Sequence, residues 1–313
     1  MFTAVSLFSG VGGIDIGFHN TGCFKTIQAI EFDRYANMTF KLNFPNTDVI
    51  ENDIREVDEI LESDVILAGF PCTSFSIAGY RKGFEDEKSG DLFFHVLRLA
   101  KKTNPRIILL ENVKNLVSHD NGKTFRIILD SLHENGYHVK YKIMNASEYG
   151  NVPQNRERIY IVCFRDEVDK KNFEFPDPIE LKNGLEDMIG FNDNVDKKYY
   201  YTDKLKAWNL MKDYGFKPKT IYQYRRVYIR ENKSNVCPTL TANMGTGGHN
   251  VPIIRTTDKQ IRKLTPHECF NLQGFPKDYK LPPISDIHLY KQAGNSVVMP
   301  VIERIARSIV KIL

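Results

Sequence analysis

Short apolar runs, each about as long as a buried strand, alternate with amphipathic stretches through the first half of this 313-residue chain. TAVSLFS, TIQAIEF, DVIEND, DVILAGF and RIILLEN are strand-like, and FFHVLRLAKKTN and GKTFRIILDSLHENG carry helical spacing between them. A strand buried on both faces reads as an almost unbroken apolar run, so the alternation predicts βαβ units and a parallel sheet. Two later runs, HVKYKIMNA and RIYIVCF, are joined only by the loop SEYGNVPQNRE and are expected to pair antiparallel. The expected fold class is α/β, a doubly wound and mostly parallel sheet with an antiparallel terminal hairpin. After Arg165 the texture changes: the chain to about Pro252 is rich in Tyr, Asn, Lys and Gly, with strand fragments such as YRRVYIR and VPIIR. That predicts a smaller, irregular β-rich domain over 185–289. The last helical stretch, VMPVIERIARSIVKIL, is expected to pack back on the first domain, which then comprises 1–184 and 290–313.

Composition narrows the function classes. Hydrophobic residues make 42% of the chain and charged residues 26%, the balance of an ordinary globular protein rather than a disordered one. No apolar run approaches the roughly 18 residues of a membrane span. The apolar N-terminus lacks a basic leader and carries Asp15, so it reads as a first core strand and not a signal peptide. Cys23, Cys72, Cys163, Cys237 and Cys269 form no CxxC pair, and the eight histidines fall in no ligand spacing. This argues against a disulfide framework or a metal site and fits a reducing cytoplasm. Net charge is only +4, but Lys197 to Lys263 holds 15 basic and 4 acidic residues, leaving 28 against 35 elsewhere. Such asymmetry suits a polyanion-binding face, though a solvated lysine-rich surface explains it equally well.

The candidate chemistry lies at strand ends. SLFSGVGGIDIGF sets Gly10, Gly12 and Gly13 between the first strand and the first helix. Asp15 stands where a dinucleotide fingerprint wants its third glycine, and the P-loop lysine is absent, so the turn is not built for phosphates. Glu31, closing the second strand, is placed to accept from ribose hydroxyls, and Asp53, after the third, from an adenine amino group. A glycine turn with two acids suits a nucleoside ligand such as S-adenosylmethionine, although each acid could equally be a solvated strand end. Cys72, in GFPCTSFS, follows the fourth strand, and Glu111, in ENV, closes the fifth. In open α/β sheets ligands bind outside the carboxyl ends of the strands, so a thiol and a carboxyl are expected in one crevice. Arg156 and Arg158, in QNRER, would supply the positive field that a thiol of ordinary pKa, roughly 8.5, needs to act as a nucleophile. A core cysteine, a capping glutamate and surface arginines are the plain alternatives, each acceptable singly.

Together LFSGVGGIDIGF, GFPCTSFS, ENV, QNRER and QAGNSVVMP occur in an order and spacing that closely resembles the DNA cytosine-5 methyltransferases of bacterial restriction–modification systems, from about Val5 to Val301. The resemblance implies a methyltransferase-type sheet and a definite division of labour. Cys72 resembles the nucleophile that attacks C6 of cytosine, and Glu111 the acid that engages N3 and the 4-amino group. Arg158 and Arg156 resemble the arginines that hold the base and backbone. Phe8, Gly10, Gly13, Glu31, Asp53, Leu92 and Asn295 match the S-adenosylmethionine pocket, the product being S-adenosylhomocysteine, with no metal. Ser76 to Asp91 suits a closing lid, with Gly79, Gly83 and Gly90 as hinges. The span between QNRER and TPHECFNLQGFP corresponds to the target-recognition domain. Within it Arg225, Arg226 and Arg230, together with Thr239 and Leu240, are the DNA-binding candidates, and Gly245, Gly247 and Gly248 would let backbone approach the duplex. One departure stands out: many bacterial relatives carry glutamine where this chain has Thr73. This bears on how the lid grips the DNA backbone, not on the nucleophile.

The expected activity is sequence-specific methylation of C5 in a flipped-out cytosine of duplex DNA through a covalent Cys–C6 adduct. A tRNA cytosine-5 methyltransferase of the same family is the alternative. A catalytically silent binding module is disfavoured by the intact Cys72, Glu111 and Arg158, and a cysteine hydrolase by the want of a histidine near Cys72. The implied setting is the cytoplasm of a bacterium or a phage host. There the chain would act as a monomer without membrane contact, paired with a restriction endonuclease acting on the same site.

Overall fold

The computed structural model describes residues 1–71, 92–192, 194–225, 227–246 and 251–313. These residues fall into two compact units. The first comprises Met1–Met144, Glu157–Asp177 and Val301–Leu313, and the second Asn145–Arg156 and Pro178–Pro300.

The strands of the first half are β1 (Phe2–Leu7), β2 (Phe24–Ile30), β3 (Asp48–Ile50), β4 (Val65–Ala68), β5 (Ile107–Val113), β6 (His138–Asn145), the two-residue β7 (Gln154–Asn155) and β8 (Glu157–Phe164). All but β7 form one sheet in the order β3-β2-β1-β4-β5-β8-β6. β1 pairs parallel with both β2 and β4, β2 with β3, and β4 with β5, while β5 and β8 run antiparallel. The central strands are apolar because both faces are covered: VILA of β4 is wholly buried, as are the first six residues of β5. Helices Leu92–Thr103 and Lys123–Glu134 contribute Phe93, Phe94, Leu97, Leu99 and Phe125, Ile128, Leu132 to the same core. Strand order reverses where β1 has β2 on one side and β4 on the other, the point at which ligands sit in such sheets. The segment joining β6 to β8 is not the plain loop its sequence suggests, since it holds a turn of helix, Ala146–Tyr149, and β7.

The C-terminal helix, Met299–Val310, enters the first unit from Val301. It lies so close to the helix Gly13–His19 that a methyl group on Gly17 would come within 2.6 Å of Ile302.

The second unit contains β9 (Ile221–Tyr224), β10 (Ile229–Glu231), β11 (Cys237–Pro238), β12 (Pro252–Arg255) and β13 (Ile261–Lys263). Four of them form an antiparallel sheet in the order β10-β9-β12-β13, and β11 pairs with β7. One apolar cluster behind that sheet holds Met211, Phe216, Tyr222, Ile229, Ile253 and Ile261. The helix Pro266–Asn271 starts on a reciprocal cap, in which Thr265 Oγ1 accepts from the Glu268 amide at 3.2 Å and the Glu268 carboxylate accepts from the Thr265 amide at 2.8 Å. That carboxylate also receives both Nη atoms of the fully buried Arg262, at 2.7 and 2.8 Å. The unit boundaries differ from those expected from texture. Asn145–Arg156 belongs with the second unit because its side chains hydrogen-bond that unit's backbone, as described below. Among the described residues no helix is long and apolar enough to cross a membrane.

Candidate active site

The glycine turn after β1 bends through left-handed backbone at Phe8, φ 55°, Gly10, φ 54°, and Gly12, φ 79°. Two of these serve different ends. A methyl group on Gly12 would meet the Phe44 ring at 2.3 Å, so that glycine permits packing. Among the described residues a methyl group on Gly10 would meet nothing nearer than the Phe8 carbonyl oxygen at 3.9 Å, which leaves open space for a ligand. The Gly10 amide donates to Glu31 Oε2 at 3.0 Å and the Asp33 amide to Oε1 at 2.8 Å. Burial pushes the Glu31 carboxyl up from its ordinary pKa, and those two amides draw it back. This buried acceptor beside an open glycine cradle fits a ribose diol. Phe32, directly after it, is 68% exposed, a flat apolar face suited to a purine. The strand pattern does not flag Phe32. Its only signal is an aromatic residue placed immediately after the strand-ending acid.

Other expected pocket residues are placed less simply. Gly13 is buried at the first position of the helix Gly13–His19, and Leu92 begins its helix packed against the core. Asp53 caps a short turn through the Arg55 amide at 3.0 Å and takes the Arg55 guanidinium at 2.9 and 2.5 Å. The hydrogen bond from Arg55 is the main force holding its carboxyl below the ordinary value. Asn295 is exposed at the end of the helix Asp286–Asn295, in the second unit.

At the carboxyl end of β5, Arg158 Nε lies 3.2 Å from Glu111 Oε1, with both side chains largely buried. The ladder explains the meeting. Arg158 pairs with Val113, and Glu111, two residues back along β5, therefore projects from the same face as a diagonal neighbour. Asn112 projects the other way and donates from Nδ2 to the Phe70 carbonyl at 2.8 Å, tying β5 to the chain leaving β4. A methyl group on Gly69 would lie 3.6 Å from Glu111 Oε2, so the exit of β4 runs beside the acid. Cys72 itself and the expected lid to Asp91 lie outside the described residues, as do Arg226, Gly247 and Gly248.

Arg156 does not join this group. Its buried guanidinium donates to the Leu240 carbonyl at 2.7 Å, the Gly294 carbonyl at 3.0 Å and the Ser296 carbonyl at 2.5 Å. It is a tie within the second unit, whereas Arg158 is the arginine that meets Glu111. Gln154 does similar work, accepting from the Leu240 amide at 3.1 Å and donating to the Leu272 carbonyl at 2.6 Å. Leu240, expected at the DNA surface, is 1% exposed with both backbone groups engaged. Thr239 remains partly exposed and donates to the Asn155 carbonyl at 2.5 Å. It borders a cavity of about 360 Å³ that Gln223, Arg225, Arg230 and Thr241 also line.

Residues 2–311 match the family described as C-5 cytosine-specific DNA methylase. The chain is 58% identical to the type II methyltransferase M.Bsp6I of Bacillus sp. (strain RFL6), over 99% of both proteins. It is 36% identical to the type II methyltransferase M.HhaI of Haemophilus parahaemolyticus, over 97% of this chain and 93% of that one. Among solved structures, a DNMT2 mutant from Spodoptera frugiperda superposes with a TM-score of 0.75 at 21% identity, covering 99% of this chain and 100% of the other. That last likeness is one of fold.

Proposed function

Since the chain belongs to the C-5 cytosine-specific DNA methylase family, and so is a DNA cytosine-5 methyltransferase dependent on S-adenosylmethionine, we propose that it works through a covalent adduct on a cytosine turned out of the duplex. C6 is shielded within stacked DNA, and extrusion costs a few kcal/mol of stacking and pairing. Cys72 adds as thiolate to C6, forming the S–C6 bond and moving the electron pair of the C5–C6 double bond towards C5. Glu111 engages N3 and the 4-amino group as charge builds on the ring, and Arg158 fixes the carboxylate's direction. Bound S-adenosylmethionine would supply an electrophilic methyl group, cradled by Gly10 and Glu31. C5 takes that methyl with its electron pair, and the methyl–sulfur bond of the donor would break to leave the neutral thioether S-adenosylhomocysteine. C5 then gives its proton to solvent, the electrons of that C–H bond re-form the C5–C6 double bond, and the S–C6 bond breaks to release Cys72 as thiolate. Covalent catalysis splits one hard step into two.

The first unit carries catalysis in this reading and the second carries recognition. Arg225, Arg230 and Thr239 face the duplex in this reading, and Arg226, outside the described residues, is assigned to the same role. The enzyme acts as a monomer in the bacterial or phage-host cytoplasm, beside an endonuclease that cuts the same sequence when unmethylated.

One observation carries the reading: a buried Glu111–Arg158 pair at the end of β5, beside the chain that leads to Cys72. The test incubates the protein with labelled donor and either duplex DNA or tRNA, then with duplex containing 5-fluorocytosine. Label is expected in DNA, with a denaturation-resistant protein–DNA adduct on the fluorinated duplex that Cys72→Ala abolishes while still binding DNA. Transfer to tRNA alone, or turnover by Cys72→Ala, would overturn it. The tRNA alternative is not favoured by the type II relatives.

A further inference from the structure

Four side chains of the β9–β10 hairpin point away from the apolar cluster that holds Tyr222 and Ile229. Arg230 pairs with Gln223 across the ladder, Arg225 lies two residues beyond Gln223, and Asn232 two beyond Arg230, so alternation puts all four on one face. The opposite face carries Tyr222, Tyr224 and Ile229 into the core. The outer face lines the cavity of about 360 Å³ together with Thr239 and Thr241. Among the described residues no carboxylate lines it, and Glu231, on the other face, is neutralised by Lys217 at 2.8 Å.

Most of the polar groups here are already committed. Thr239 donates to the Asn155 carbonyl at 2.5 Å, Thr241 to Asn243 Oδ1 at 2.6 Å, and the Asn232 amide to the Val236 carbonyl. Gln223 Oε1 accepts from Arg225 Nη2 at 3.2 Å. A glutamine reads adenine by using its amide oxygen and nitrogen together, and here the oxygen is taken. Among the described lining residues the charged donors are two guanidinium forks, one of them aimed by Gln223. A fork of N–H groups matches two neighbouring acceptors, and in the major groove the O6 and N7 of guanine supply that pair. The major groove also admits a two-stranded β-ribbon.

We infer that the outer face of β9 and β10 reads guanine at its major-groove edge, with Arg225 and Arg230 as the reading groups and Gln223 as the residue that positions Arg225. This rests on the DNA-methylating reading above. A guanidinium held only for a phosphate would need no such aim, and its loss would weaken binding to all sequences alike.

The methylated sequence is first mapped by bisulfite sequencing of a randomised duplex library treated with the wild-type protein. Each guanine of that sequence is then replaced by 7-deazaguanine, which lacks N7, or by inosine, which keeps N7 and O6 but lacks the minor-groove amino group. At one or two positions 7-deazaguanine should lower kcat/KM by about 10- to 100-fold while inosine does not. Arg225→Ala or Arg230→Ala should erase that penalty at its own guanine and admit other bases there. Gln223→Ala should shrink the Arg225 penalty, and Gln223→Glu, which keeps the acceptor, should restore it. Tolerance of 7-deazaguanine at every position, or arginine variants that lose activity equally on all sequences, would overturn the inference while leaving the methylating reading intact. Failure of the wild type to methylate any duplex would remove both.

Discussion

Asp15 is fully buried in the first turn of its helix, accepting from Ser6 Oγ at 3.0 Å on β1 and from Thr26 Oγ1 at 2.8 Å on β2. Burial raises its carboxyl from 3.8 to about 6, the two hydroxyl donors resisting. A carboxyl whose pKa is higher folded than unfolded contributes stability below its unfolded value and loses it as pH rises through the folded one. The wild type should therefore lose stability relative to Asp15→Asn between about pH 4 and pH 6, by roughly 3 kcal/mol at most. Urea unfolding of both proteins across that range checks this. His19, which accepts from the Thr26 amide at 2.9 Å, is retained in the variant, so its own titration enters both curves. The prediction fails if the two curves run parallel. In the acid–base pair, Arg158→Lys or Glu111→Gln should lower kcat by about 10²- to 10⁴-fold, with kcat measured on folded protein because breaking a largely buried ion pair also costs stability. The sequence order of motifs exposes Glu111 and Arg158, but it cannot sort Arg158 from Arg156. Those two lie two residues apart, and their separate fates depend on which backbone each guanidinium can reach. The interior position of Leu240 is hidden from its motif for the same reason, since burial is a tertiary fact.

The parallel strands were legible because double burial leaves an apolar run with little else in it, and VILA and IILL are near-pure examples. The antiparallel β8 was legible from the missing crossover helix. The short helix Ala146–Tyr149 was not, since four residues of no strong periodicity are held by their neighbours rather than by their own pattern. Nor does spacing show which glycines are filled on contact. A methyl group on Gly17 would come within 2.6 Å of Ile302 Cγ2 and 2.9 Å of the Glu303 backbone nitrogen, so Gly17→Ala must push the two helices apart. It should cost about 1–3 kcal/mol in chemical denaturation, and an unchanged midpoint would deny the close approach. In the second unit, Glu268→Ala removes both the reciprocal cap and the carboxylate facing buried Arg262. Leaving that guanidinium uncompensated should cost about 3–5 kcal/mol by the same measurement.

Across the whole molecule, the basic excess of residues 197–263 foreshadowed a polyanion partner but not which cations would serve it. Arg255 and Arg262 turn inward, to the Phe216 carbonyl at 2.9 Å and to Glu268, whereas Lys204, Lys206 and Lys212 are exposed. Replacing those three lysines with glutamine should flatten the salt dependence of DNA binding, by roughly 0.9 in the log–log slope for every phosphate they neutralise, with the methylated sequence unchanged. Filter binding over a salt series checks it, and an identical slope would show that these lysines touch no phosphate. The division into units was only partly legible because Gln154 and Arg156 follow β6 in sequence yet fasten the backbone at Leu240, Leu272, Gly294 and Ser296. Those ties reach carbonyls and amides, which belong to the main chain whatever the side chain, so they stay intact however the β9–β10 hairpin is decorated. A laboratory wishing to retarget the enzyme could exchange that hairpin while retaining its moorings, and natural descent would have had the same freedom to try new words of DNA on an unaltered frame.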